Sequence, residues 1–174
     1  SAIPHMTLMA PRDEKGMHQA IQYSYTHQGP LAIRYPRGSF LACDMFESLP
    51  FEYGKAQLLK EGKSKIVLLG YGSGVGKAIA TAKILSEKGL DVAIVDLRFV
   101  KPLDEALLIL LAQMYTTWYV FSDSVKIGGV GSLLMALKEK HTLHVKIKTF
   151  EYDDAFITHG ATHLVEDRLG ISIE

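Results

Sequence analysis

The sequence predicts an α/β fold: a mixed, mostly parallel five-stranded sheet with helices on both faces, preceded by a partial strand-helix-strand unit. Three observations predict it. From residue 53 onward, short apolar runs alternate with helical patterns, which requires crossover connections between parallel strands. Two glycine-rich turns, at residues 70–76 and 128–131, stand where a strand should hand over to a helix. The 174 residues are 48% apolar, enough for one full core.

Taken in order, residues 6–9 form a short apolar run after Pro4 that ends at Ala10-Pro11, and read as a buried strand. Asp13 follows as an N-cap, with Glu14 in the first turn near the positive helix end. Met17, Ala20, Ile21 and Ser24 recur at helical spacing, and Gln28-Gly29-Pro30 stops the helix. Residues 31–34 form a second strand, and Pro36, which has no N–H, prevents pairing beyond it. The result is a parallel pair joined by a helical crossover. One helix on two strands leaves apolar surface uncovered, whereas parallel sheets are normally covered on both faces. Residues 1–39 are therefore expected to be the end of a domain whose front is missing. Residues 40–52 lose the periodicity and mix acids, Pro50 and scattered aromatics, as a linker lying on a surface would.

Residues 54–60 and 65–69, around Glu61-Gly62-Lys63-Ser64, predict a β-hairpin that supplies the one antiparallel member of the sheet. A helix over 75–88 places Val75, Ile79, Ala82 and Leu85 on one face, and Gly89 closes it. A strand follows over 91–97. Asp104 caps a helix that runs through Leu107, Leu110 and Leu111 to Met114. A strand over 118–121, a helix over 132–141, a strand over 145–150 and a helix over 162–169, closed by Gly170, complete residues 53–174 as one α/β unit.

Lysine plus arginine equals aspartate plus glutamate, 19 against 19, so no broad basic surface exists for nucleic acid. No apolar run approaches the ~20 residues that span a bilayer, and no secretory signal pattern opens the chain. The single cysteine, Cys43, excludes an internal disulfide and fits a reducing compartment. These features together predict a soluble, cytoplasmic protein that touches neither membrane nor nucleic acid.

The candidate sites are few. Arg34 and Arg37 flank Tyr35-Pro36 at the end of a strand, where α/β sheets place ligands, and a planar guanidinium suits phosphate or carboxylate. The first glycine-rich turn fails both nucleotide templates. Counted from Gly70 or Gly72, the dinucleotide fingerprint requires glycine where Val75 or Lys77 stands. The Walker pattern ending in Gly76-Lys77 requires glycine where Tyr71 stands and a hydroxyl where Ala78 stands. This leaves a strand-to-helix turn with free amides that can meet an anion. Gly128, Gly129 and Gly131 read as a tight turn approached by another backbone, with a subunit contact or a cofactor edge as the sharper alternative. Asp96 has the position of a ribose-binding acid, but Arg98 nearby favours a structural ion pair. Asp123, between two serines, reads as a solvated loop acid. His159 and His163, four apart, are the nearest approach to a metal pair and lack a cysteine or acid partner at ligand spacing. No catalytic or metal site is complete within the chain.

Three stretches, GPLAIRYPRG at 29–38, VDLRFVKPLD at 95–104 and IGGVGS at 127–132, resemble the C-terminal part of the 1-deoxy-D-xylulose-5-phosphate synthases. Residues 3–14 also match the stretch that precedes them in that transketolase-type, thiamine-diphosphate family. The resemblance implies an enzyme that joins pyruvate, with loss of CO2, to glyceraldehyde 3-phosphate, and feeds isoprenoid, thiamine and pyridoxal synthesis. It implies a homodimer with thiamine diphosphate and Mg2+ as cofactors.

By the same resemblance, residues 1–39 are the remnant of a pyrimidine-binding domain and 40–52 a linker. Residues 53–174 are then a transketolase C-terminal-like domain. The cofactor-activating residues would lie upstream, so this chain alone is expected to be inactive and to bind no cofactor. The substrate phosphate is then expected to face Arg37, with Arg34 a secondary candidate. Ser122-Asp123-Ser124 stand where the family often has paired glutamates, and a proline before the His159-Gly160 pair is missing. The competing class is a non-catalytic dimerisation or partner-docking domain of the 2-oxoacid dehydrogenase type, against which the two arginines of the RYPRG stretch argue.

Overall fold

Among the described residues two sheets, one of three strands and one of five, are joined where the chain leaves one at residue 96 and enters the other at residue 99. The structure, a computed structural model, describes residues 3–36 and 45–172. In the first sheet, β1 (Thr7–Met9) pairs in parallel with β2 (Leu31–Ile33), joined by α1 (Glu14–Thr26). Asp13 caps α1 by accepting a 2.6 Å bond from the Gly16 amide, so the predicted start is met. The third member is β6 (Phe99–Lys101), which runs antiparallel to β1, in the order β2-β1-β6.

The sequence reading missed β6 because three residues carry no periodicity. It begins directly after Arg98, whose backbone is left-handed at φ 53° and turns the chain out of the larger sheet. Phe99 then enters a small core with Met9, Ala20 and Phe51. Phe51 and Tyr23 meet its ring edge-on at 5.7 and 5.8 Å. Phe51 belongs to the stretch read as a surface linker; it is buried instead, because this core needs a lid.

The larger sheet contains β3 (Gln57–Lys60), β4 (Ile66–Gly70), β5 (Ala93–Asp96), β7 (Thr117–Val125) and β8 (Lys146–Tyr152), in the order β3-β5-β4-β7-β8. All pairs are parallel except β3–β5. The predicted count and the single antiparallel strand are present, but the hairpin is not. β3 and β4 flank β5 rather than each other. β5 is buried along its whole length and takes the inner place, while β3 is only half-buried and goes to the edge. Gly62 crosses the start of β5 so closely that a Cβ there would lie 2.3 Å from the Val92 carbonyl carbon.

α2 (Gly74–Glu87) covers one face, packing Val75, Ala78, Ile79 and Ala82 on Leu68, Ile94 and Phe121. α3 (Glu105–Met114) and α4 (Val130–Lys140) cover the other. There Leu108, Leu111, Leu134 and Leu137 meet Val67, Leu69, Val95, Trp118 and Val120. Asp104 caps α3 through the Leu107 amide at 3.1 Å, as its position predicts. α5 (Thr162–Leu169) ends at Gly170, left-handed at φ 66°, and is tied to α2 by the Lys77–Glu166 ion pair at 2.6 Å. Among the described residues no helix is long and apolar enough to cross a membrane.

Candidate functional site

The carboxyl ends of β2, β4 and β7 converge on a cleft of about 410 Å³ between the two sheets. Leu8, Ala32, Ile33 and Val100 line its small-sheet wall, and Tyr71, Ser124 and the 128–130 turn line the other. Arg34 stands at the rim. Its amide still pairs with the Met9 carbonyl at 2.8 Å, so its backbone is fixed by the sheet while its side chain is half-exposed. Burial raises the Tyr71 phenol well above its ordinary pKa, and it stays protonated at neutral pH.

Asp123 is not a solvated loop acid. β7 continues to Val125, and the Asp123 carboxylate forms an ion pair with Arg34 Nη1. The Asp123 carbonyl also accepts from Arg34 Nη2 at 3.2 Å. Arg37 lies outside the described residues, as do residues 38 and 39 and residues 40–44 of the expected linker.

The glycine turns are built for close approach. A Cβ on Gly74 would sit 2.0 Å from the Phe121 carbonyl oxygen, and one on Gly129 2.0 Å from that of Val125. Gly128, left-handed at φ 73°, is exposed with open space beside it, next to the exposed Ile127. Gly131 donates to both oxygens of Glu151, at 3.2 and 3.3 Å, and Ser124 Oγ donates to the same carboxylate at 2.6 Å. The α4 N-terminus therefore already holds an anion of its own chain. Glu151, 1% exposed, escaped the sequence reading. Strand parity offered a signal, since Ile147, Thr149 and Glu151 share the face that meets α4.

A second cluster was also missed. Arg12, 1% exposed, donates to Asp13, Gln57, Asp96 and the carbonyls of Phe46 and Glu47, at 2.9 to 3.2 Å. Arg98 donates to the carbonyls of Leu49 and Pro50 and to Gln57, and lies over the Phe51 ring. Asp96 sits between the two guanidiniums, 3.2 Å from Arg12 Nη1 and 3.9 Å from Arg98 Nε. Asp96 is in a structural ion pair, as expected, but its nearer partner is Arg12 and not the expected Arg98. Burial pushes its carboxyl above the ordinary value, and the two arginines oppose that shift.

In the first glycine turn the Gly74 and Val75 amides are bonded to the Tyr71 and Gly72 carbonyls. Among the described residues no three His, Cys, Asp or Glu side chains are placed to hold a metal ion. His159 and His163 are exposed.

The sequence model of the family described as "Transketolase, C-terminal domain" matches residues 54–174. This chain belongs to that family. Its transketolase C-terminal domain and the residues before it are similar to 1-deoxy-D-xylulose-5-phosphate synthases. Identity to the Sulfurimonas denitrificans enzyme is 50% over 171 residues, 98% of this chain and 28% of the relative. Identity to that of Nitratiruptor sp. is 50% over 169 residues, 97% of this chain and 27% of the relative. For Campylobacter fetus subsp. fetus it is 46%, over the whole of this chain and 29% of the relative. The chain thus spans little more than a quarter of the curated relatives it matches. A solved split-gene transketolase, described as an inactive beta4 tetramer, superposes with a TM-score of 0.85 at 22% identity, over 99% of this chain and 55% of that one. That likeness extends the transketolase fold to the residues ahead of the matched domain.

Proposed function

We propose that this chain is the C-terminal part of a 1-deoxy-D-xylulose-5-phosphate synthase. The observation that carries the reading is the 50% identity to such an enzyme over 98% of the chain, which includes the RYPRG stretch. The whole enzyme would add the two-carbon unit left when pyruvate loses CO2 to glyceraldehyde 3-phosphate, in a cytoplasm whose reducing conditions suit a lone cysteine. Thiamine diphosphate, held with Mg2+ by upstream residues, supplies the carbanion chemistry when bound. In this reading residues 1–39 end the pyrimidine-binding domain, 40–52 link, and 53–174 form the C-terminal domain. The product feeds isoprenoid, thiamine and pyridoxal synthesis. A second copy of the enzyme meets the exposed turn at Gly128, with Gly129 and Gly131 shaping it from within.

The role of this chain's own residues is to hold the aldehyde's phosphate. Arg34 supports that role by its place on the rim of the cleft, and Arg37 by its place in the same motif. In the full-length enzyme Arg37→Ala is expected to raise the KM for glyceraldehyde 3-phosphate, because a charge-assisted contact worth about 1.5–3 kcal/mol is lost. The KM for pyruvate should move little. Steady-state assays varying each substrate read both, and equal changes would remove Arg37 from the site.

The isolated chain should show no heat of binding with thiamine diphosphate and Mg2+ in calorimetry, since its glycine turns are occupied by its own backbone and by Glu151. Tight binding by this chain alone would overturn the division of labour proposed between it and the upstream residues.

A further inference from the structure

We infer that Asp123 is a positioning residue for Arg34: it holds the guanidinium across the cleft between the two sheets so that the free edge of the fork meets the substrate's phosphate. The inference rests on the reading of Arg34 as a phosphate ligand and adds to it a residue from the other sheet.

A guanidinium carries five N–H donors. Asp123 takes one from Nη1 with its carboxylate and one from Nη2 with its backbone carbonyl. Nε–H and the second hydrogen on each Nη have no partner among the described residues. Toward the described residues the fork is thus gripped at one place and open at the others, which suits an anion that binds two donors at once.

Arginine otherwise loses about 2 kcal/mol of rotamer freedom when a ligand fixes it. A partner that fixes it beforehand removes that cost from binding. The charge that Asp123 cancels matters less, because both side chains are partly exposed, 47% for Arg34 and 30% for Asp123, and water screens the pair. Orientation therefore outweighs neutralisation.

Among the described residues that line this cleft, Arg34 is the one cationic side chain. Three amides at the turn into α4 already have acceptors within the chain: Gly128 with Ser132, Val130 with Ser124 and Gly131 with Glu151. Asp123 comes from β7 of the five-stranded sheet, and Arg34 from the end of β2 in the small one. The pair therefore registers the relative placement of the two sheets at the point where the ligand is read.

The test uses the full-length enzyme with Asp123→Asn, Asp123→Glu and Arg34→Ala. Glyceraldehyde 3-phosphate, unphosphorylated glyceraldehyde and pyruvate are each varied, and inorganic phosphate serves as a competitive inhibitor. Asp123→Asn should raise the KM for the phosphorylated aldehyde about five- to tenfold relative to that for glyceraldehyde, and weaken inhibition by phosphate by a similar factor. Asp123→Glu should recover part of the loss. The double variant Arg34→Ala/Asp123→Asn should be no worse than Arg34→Ala.

If Asp123→Asn leaves the phosphate preference unchanged while Arg34→Ala destroys it, the positioning role is wrong and the reading of Arg34 stands. If Arg34→Ala changes nothing, that reading fails and the proposal fails with it. Equal losses for all three substrates would make Asp123 a residue of the fold alone, and would also overturn the inference.

Discussion

Replacing Arg12 by methionine should cost the chain about 3–5 kcal/mol of stability, the range for removing one partner of a buried pair. Methionine fills similar volume, so the cost is electrostatic and not a cavity. It leaves the Asp96 carboxylate, 1% exposed, with Arg98 as its remaining cation, takes one donor from the Phe46 carbonyl, and leaves the Glu47 carbonyl with Gln57 alone. Urea denaturation followed by circular dichroism reads the loss. Adding Asp96→Asn to Arg12→Met should cost less than the sum of the two singles by about 1 kcal/mol or more, because the second change removes the orphaned charge. Strict additivity, or a loss under about 1 kcal/mol for Arg12→Met, would show that Arg12 is not the tie between Asp96 and the Phe46-Glu47 backbone.

Gly74→Ala is expected to destabilise by about 3 kcal/mol or more, at the upper end for overpacking. Helix propensity predicts the opposite sign, since alanine is favoured over glycine in a helix by about 1 kcal/mol. Packing decides. The added Cβ would lie 2.0 Å from the Phe121 carbonyl oxygen and 2.5 Å from its carbon, and both are backbone of β7, an inner strand. Relief requires α2 to lift away from the sheet, which loosens Val75 and Ala78 from Leu68 and Phe121. A thermal melt with unchanged or raised midpoint would refute the close approach.

Features with local causes were legible from the chain. Asp13 and Asp104 cap helices because a short acid three residues before an amide can reach it, and α5 spans the range its pattern predicts, closed by Gly170. Long-range pairing was not legible. The turn at Gly62 looks like a hairpin turn in sequence, and only the greater burial of β5 sends β3 to its far side. The site was half legible. Arg34 was placed at a strand end from Pro36 and its flanks, and that is where it stands. Its partner Asp123 was hidden by a Ser-Asp-Ser stretch that reads as a loop, while β7 in fact continues through it across a register shift against β8. Buried Arg12 and Glu151 were missed for one shared reason: charged residues read as surface unless a strand's parity or a facing helix end shows what pairs with them.

The antiparallel pairing of Leu8 with Lys101 joins positions about ninety residues apart. A growing chain emerges from its amino end, so β1 must wait for β6 until three of the five strands of the larger sheet, β3, β4 and β5, have been synthesised. Contacts this distant in sequence raise the contact order and slow folding. Chain order and assembly order therefore diverge for β1: its edge toward β6 stays open to pairing until residues 99–101 have been made.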